Sequence, residues 1–378
     1  MLTFNFSNIY LSRGNKILDV GCGEGRHIFG AMDAQSGLNL FGVDMDIPSL
    51  EKSNEGLDFF REMDFNLVKF LQGSIYNLPF QDNELDVVIC SEVLEHLEDY
   101  NKAIQEIHRV LKMTSNILEA FNQTKKEKRP ALLTYTVAGD NTKKRSLDII
   151  KAIAQNADII ELGFPHNTPI ADGGQIQESS HRALKNGIKL KDVFNIVKDF
   201  KKSKYAKPLI LMGYFNLILQ YGPVNFLKQC KKVGVNGLII VDLPYPENKP
   251  FAAQCKKYSV SFIQLLSPTT TKERMKQIIR DSHDMIYYIS MLSTTGAKLK
   301  VSPKMILKNY QMIKKINPAK NLVIGFGITT KTIAKLKNTD GLVVGSQLCK
   351  EITRSLKLGQ NPVTNLHRMV LNLKRKII

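Results

Sequence analysis

Two carboxylates in contrasting settings, Glu161 and Asp172, are the residues best suited to proton transfer in this sequence. Glu161 sits inside the apolar run ADIIEL (157–162), whereas Asp172 lies on the following segment, GFPHNTPIADGGQIQ. An acid in apolar surroundings keeps its proton to higher pH than a solvated one. Such a pair can therefore place a proton donor beside an ionised base. Each residue also has a plainer reading. Glu161 could be a buried acid satisfied by backbone donors, and Asp172 could cap a helix starting near Gly173. A second group consists of glycines that close apolar runs: Gly296 after Thr295, Gly327 after Phe326, and Gly345 before Ser346. Backbone N–H groups at such turns, with Ser346 opening a helix, suit a phosphate dianion. A third group stands near the N-terminus. Asp19 stands near the end of a short strand, Gly21, Gly23 and Gly25 follow it, and Asp44 comes about 20 residues later, where an acid can hold ribose hydroxyls.

The elements that must carry these residues follow from apolar patterning. In the first third, strands are expected at Lys16–Val20, Leu38–Val43, 66–71 and Leu85–Cys90, with helices at 47–61 and Asp99–Leu111. That alternation implies parallel strands with helices on both faces. From Ala131 onward, eight apolar runs follow: 131–136, 157–162, 208–214, 237–243, 262–266, 285–290, 321–327 and 340–346. Helical patterns separate them at Ser146–Gln155, Leu190–Lys201, Val224–Lys232, Ile306–Ile316 and Thr332–Lys337. Eight strand–helix units in about 250 residues predict a closed (β/α)8 barrel with its site at the C-terminal strand ends. A preceding helix, Ser115–Phe121, is expected to cover the barrel bottom.

Charge divides the chain at the same place. Residues 1–112 hold 9 Lys/Arg against 18 Asp/Glu, a net of −9. Residues 113–378 hold 44 against 17, a net of +27. The asymmetry predicts two domains, 1–112 and 113–378. The lysines are spread over many helices without interleaved aromatics, as in a solvated surface that attracts anionic small molecules. Neither a nucleic acid nor a membrane is expected as a partner. Five scattered cysteines, without a Cys-x-x-Cys pair, predict reduced thiols in a cytoplasmic protein and no metal site.

The segments LDVGCGEGRH, GVDMD and LPFQDNELDVVICSEVLEHL resemble the first half of a class I S-adenosylmethionine-dependent methyltransferase. The resemblance implies a partial Rossmann-like segment in which Asp19, Gly21, Gly23, Gly25 and Asp44 would hold the cofactor. Residues for three further strands of that fold are missing after residue 112, so active methyltransfer is not expected. Further on, ELGFPHNTPIADGGQIQ, LMGYFN, VDLPYPE, YYIS…TTG, GFGI and VVGSQL resemble the tryptophan synthase alpha family, in that family's order. This second resemblance implies a lyase of tryptophan biosynthesis that cleaves indole-3-glycerol phosphate to indole and glyceraldehyde 3-phosphate without a cofactor. It implies catalytic roles for Glu161, Asp172 and Tyr287, and phosphate binding by Gly296, Gly327, Gly345 and Ser346. Tyr214, Phe326 and Thr295 would line the indole pocket. It also implies a pyridoxal phosphate-dependent beta subunit as partner, in an alpha2–beta2 heterotetramer.

Two departures fall on loops expected to face that partner. Pro165-His166-Asn167-Thr168-Pro169 replaces the usual Pro-Phe-Ser-Asp-Pro, and Ser293-Thr294 replaces Gly-Val. His166 reads as a contact residue or as a further acid–base group. An indole-glycerol-phosphate synthase barrel is disfavoured because TYTVAGD lacks the lysine that chemistry needs. A non-catalytic activator of a beta subunit would not require both Glu161 and Asp172. A bifunctional methyltransferase–lyase would require S-adenosylmethionine binding. Met113 stands where an independent barrel would begin, as after a gene fusion or an error that joined two reading frames.

Overall fold

A computed structural model describes residues 4–6, 9, 11, 13–60, 67–82, 84–111, 115–289, 302–325 and 327–378 of the chain. These residues group into two compact units, Met1–Thr114 and Ser115–Ile378.

In the first unit, β1 (Lys16–Val20), β2 (Asn39–Asp44), β3 (Leu67–Gln72) and β4 (Val87–Cys90) form a parallel sheet in the order β3-β2-β1-β4. The expected strands are all present, with ends shifted by one or two residues. Leu85 forms only an isolated bridge to Leu111, so β4 begins later than its apolar run. Helices Arg26–Ala34, Ile47–Gly56 and Tyr100–Val110 connect the strands. The third is capped by Asp99, whose carboxylate accepts the Lys102 N–H. Two apolar clusters, one around Leu18, Val43 and Leu85 and the other around Ile17, Ile28 and Leu40, form the core.

The second unit contains β5 (Ala131–Val137), β6 (Ile159–Gly163), β7 (Leu209–Gly213), β8 (Gly237–Ile240), β9 (Ser261–Phe262), β10 (Gln264–Leu266), β11 (Met285–Ile289), β12 (Asn321–Gly325) and β13 (Gly341–Val344). All of their pairings are parallel. β9 and β10 are the two halves of the run 262–266, interrupted at Ile263. The first half pairs with β8 and the second with β11, which closes an eight-strand circuit into the expected (β/α)8 barrel. The strands are nearly continuous apolar runs, buried on both faces, as parallel strands sheathed by helices must be. The region expected as a helix at Thr332–Lys337 is a single 3-10 turn, Ile333–Leu336.

The N-terminal end of the barrel is sealed and pinned. Helix Asn116–Lys126, capped by Ser115, buries Ile117 and Phe121 completely. Their side chains occupy the space beside Gly237 and Gly341, the first residues of β8 and β13. Polar residues just ahead of three strands cap the start of a neighbouring strand. Asp158 accepts the Leu132 N–H at 2.8 Å, Asn236 the Leu209 N–H at 2.9 Å, and Asp340 the Leu322 N–H at 2.9 Å. Each of these caps also meets a cation. Asp158 binds Arg129 and Lys374, Asn236 binds Lys201, and Asp340 binds Lys314. Arg129 and Lys374 are largely buried with Asp158, so removing its charge would leave Arg129 paired with Glu127 alone and take from enclosed Lys374 the carboxylate it binds. Asp158→Asn is expected to lose about 3–5 kcal/mol of stability in urea unfolding. A change below about 0.5 kcal/mol would show that the cluster does not pin the barrel.

Candidate active site

The C-terminal strand ends bring Glu161 and Asp172 to one side of the barrel mouth. Glu161 is on β6, in register with Tyr135 of β5 and Ile210 of β7. It is fully buried, and neither carboxyl oxygen has a hydrogen-bond partner. Backbone donors therefore do not satisfy it, which removes the plainer reading. Burial pushes its pKa up to about 8, so the carboxyl is largely protonated at neutral pH.

Rings of two tyrosines flank Glu161. Tyr135 lies across Gly163, where a Cβ would come within 2.1 Å of its hydroxyl oxygen. Tyr287 on β11 lies across Gly325 with a similar approach of 2.1 Å to its ring. Glycine at the ends of β6 and β12 therefore leaves the room that lets both rings turn into the barrel. Desolvation raises both hydroxyls well above the ordinary phenol value, so they remain neutral donors.

Asp172 lies on the loop between β6 and helix Gly174–Lys185. It does not cap that helix: the cap position is Gly173, with no side-chain cap bond. Its carboxylate instead accepts the Tyr214 hydroxyl at 3.1 Å, and the Tyr214 oxygen accepts the Ala171 N–H at 3.0 Å. Burial raises its pKa to about 6, and the tyrosine hydrogen bond opposes part of that shift. At pH 7 the two acids thus differ in protonation, the condition for acid–base work by a carboxyl pair.

A cavity joins Asp172 and Tyr287 to Gly327, Gly345 and Ser346. Gly327 has φ +71°, a backbone conformation that favours glycine. Gly345 precedes helix Ser346–Lys357, and no side chain caps that N-terminus. Its N-terminal dipole and backbone donors are suited to an anion. Among the sequence-derived candidates, the cavity thus brings together Asp172, Tyr287, Gly327, Gly345 and Ser346, with Glu161 beside the two tyrosines. Tyr214 reaches the site through Asp172. Thr295, Gly296 and Phe326 lie outside the described residues, as do Ser293, Thr294 and Met113. Sequence reasoning missed Tyr135, Thr329 and Gln347, which also line the cavity. Alternation along β5 puts Tyr135 in phase with Leu133 and Val137, and that phase was the available signal.

In the first unit, Gly21, Gly23 and Gly25 all have positive φ. The Asp44 carboxylate holds the turn, accepting the Gly23 N–H at 2.7 Å and the Asp46 N–H at 2.9 Å. Each of its oxygens keeps a further lone pair, so the half-buried acid can also accept ribose hydroxyls. Asp19 is buried against His27, 3.3 Å away, with its pKa pushed up to about 7 by burial. It is therefore enclosed against helix Arg26–Ala34, which follows the turn. No group of metal-binding side chains occurs among the described residues.

Comparison with known proteins bears on both units. The family model described as Tryptophan synthase alpha chain matches residues 121–377, and one described as Methyltransferase domain matches residues 11–157. The overlap, 121–157, folds as the end of helix Asn116–Lys126, β5 and helix Lys143–Ala154. The tryptophan synthase alpha chain of Pelagibacter ubique (strain HTCC1062) is 72% identical over 258 residues, covering 68% of this chain and 97% of that protein. That of Thermoanaerobacter pseudethanolicus is 40% identical, covering 64% and 91%. Among solved structures, tryptophan synthase subunit alpha from Legionella pneumophila str. Paris matches at 30% identity and TM-score 0.65, over 70% of this chain and 99% of its own. A tryptophan synthase complex from Pyrococcus furiosus gives 34% identity and TM-score 0.58, over 64% and 97%.

The raised Glu161 pKa has a consequence for stability. In the folded chain this group binds its proton more tightly than in the unfolded chain. Its contribution is therefore fully present below about pH 4.5 and is lost as pH rises towards about 8. The loss reaches at most about 1.4 kcal/mol per pH unit. Glu161→Gln, neutral at every pH, is expected to be more stable than the parent at pH 8. Urea titrations at pH 5 and 8 test this, and equal pH slopes for the two proteins would refute it.

Proposed function

The chain belongs to the tryptophan synthase alpha family through residues 121–377, and from that membership we propose how its barrel performs the family's reaction. Its function is that of tryptophan synthase alpha, a lyase of tryptophan biosynthesis. The substrate is indole-3-glycerol phosphate, with its phosphate on Gly296, Gly327, Gly345 and Ser346 and its ring between apolar walls that include Tyr214 and Phe326. Protonated Glu161 delivers its proton to the indole carbon that carries the glycerol chain. Ionised Asp172 accepts the indole N–H and stabilises the cation that forms. The carbon–carbon bond then breaks, and its electron pair returns to the ring. The adjacent hydroxyl of the chain gives its proton back to Glu161, leaving indole and glyceraldehyde 3-phosphate. No cofactor takes part. Tyr287 packs beside Glu161 and keeps it dry, and Thr295 would close over Asp172.

The observation that carries this reading is the partnerless burial of Glu161 beside a separately tuned Asp172. Indole release should require Asp172 ionised and Glu161 protonated, giving a bell-shaped profile with limbs near pH 6 and pH 8. Glu161→Gln should lower the rate by about 10²–10⁴. An equal rate in that variant would sink the assignment.

The partner in this reading is a separate beta subunit that carries pyridoxal phosphate, in an alpha2–beta2 assembly. Exposed Ile170 and Leu219, beyond the C-terminal ends of β6 and β7, support an apolar contact on the loops around the site. A cytoplasmic location is supported by five unpaired thiols. No helix among the described residues is long and apolar enough to cross a membrane.

For the first unit, the left-handed glycine turn and Asp44 support S-adenosylmethionine binding without methyl transfer. The domains in this reading are residues 1–112 and 113–378. Calorimetry of the full chain with S-adenosylmethionine should register binding that Asp44→Ala abolishes. Absence of heat from the parent would remove the cofactor from this reading.

A further inference from the structure

The residue pattern leaves His166 without a role, and its position supplies one. It is half-buried on the loop after β6, six residues before Asp172. Its imidazole stacks on the Tyr214 ring, with centroids 4.6 Å apart and planes inclined by 26°. That tyrosine is the one whose hydroxyl donates to Asp172 and accepts the Ala171 N–H. One loop is therefore tied at both ends to a single side chain from the end of β7. His166 holds the ring face, and Ala171 with Asp172 holds the hydroxyl. Between these ties stand Asn167, Thr168 and Ile170, all exposed and outside the apolar core of the barrel.

We propose that His166 is a positioning residue that acts through its ring face, seating Tyr214 so that its hydroxyl stays on Asp172. A tyrosine hydroxyl 3.1 Å from a carboxylate oxygen is sensitive to small ring rotations, because hydrogen bonds weaken steeply with misalignment. An aromatic face against the ring restricts that rotation, and offset stacking at this separation is itself attractive. Tyr214 is buried, so the stack is shielded from solvent on the tyrosine side. Other titratable groups also face this pair. Asp242 lies beyond β8 and accepts the Phe215 N–H at 2.7 Å. Tyr135, Tyr287 and Cys349 surround Asp172 from β5, β11 and helix Ser346–Lys357. None of these touches the imidazole in the way Tyr214 does, so the effect of His166 on Asp172 passes through the tyrosine.

This proposal rests on the reading of Asp172 as the ionised partner of Glu161, and its test separates the two. The Asp172 carboxyl is followed by NMR in the full chain labelled with 13C-aspartate, the signal being assigned with Asp172→Asn. In His166→Ala the tyrosine bond loosens and the Asp172 midpoint should rise by about 0.5–1 unit, while His166→Phe should return it to the parent value. In a Tyr214→Phe background the midpoint should be raised already, and His166→Ala should add nothing. The acidic limb of indole release should follow the NMR midpoint. An unmoved midpoint in His166→Ala, or failure of phenylalanine to restore it, overturns the proposal. A midpoint that moves as expected while the rate limb stays fixed upholds the positioning role and refutes catalysis by Asp172.

Discussion

Glu161 is enclosed by the barrel without a hydrogen-bond partner, and much of the architecture can be understood from what that enclosure requires. A carboxyl in this state is tolerable only when protonated, because an ionised one would lose its hydration without compensation. Keeping water away requires large rings beside it, supplied by Tyr135 and Tyr287. Those rings fit only because Gly163 and Gly325 offer no Cβ at the facing positions. Glycine and tyrosine must meet across neighbouring strands, so a slip of one residue between β5 and β6 would turn the pairing inside out.

Register is fixed at the opposite end of the barrel. Asp158, Asn236 and Asp340 each bind an N–H at the start of a neighbouring strand and a cation from outside the sheet. Ile117 and Phe121 fill the space beside Gly237 and Gly341. The bottom is thus charged and closed, whereas the top carries the loops that hold Asp172, Gly327 and Gly345. Chemistry is located at the end where backbone N–H groups, helix N-termini and uncommitted carboxyls remain available.

The first unit uses a similar device on a smaller scale. Asp86, just ahead of β4, accepts the Lys16 N–H at the start of β1, and Asp44 ties the glycine turn to the end of β2. Its sheet ends at β4 among the described residues, with Val87 and Val88 only partly covered. A cofactor-sized turn can be complete in such a sheet even when the far side of a cleft is not, because the turn is held by the end of β2 and by the Ser53 hydroxyl, which donates to the Gly23 carbonyl.

Apolar runs and their spacing were enough to count eight barrel strands and four N-terminal ones, because burial on both faces leaves a strong one-dimensional trace. The same was true of Glu161, an acid embedded in such a run, and of glycines at strand ends. The break of the fifth barrel strand at Ile263 left no such trace, since either half alone still reads as apolar. The sequence also could not say whether Glu161 found a donor, whether Asp172 capped a helix, or where His166 turned its ring. Those outcomes depend on side chains from β5, β7 and β11 that are distant along the chain and meet only when the barrel closes. Local pattern determined which residues could do chemistry. Closure of the sheet decided which of them lost their water, and so which protonation state each one holds.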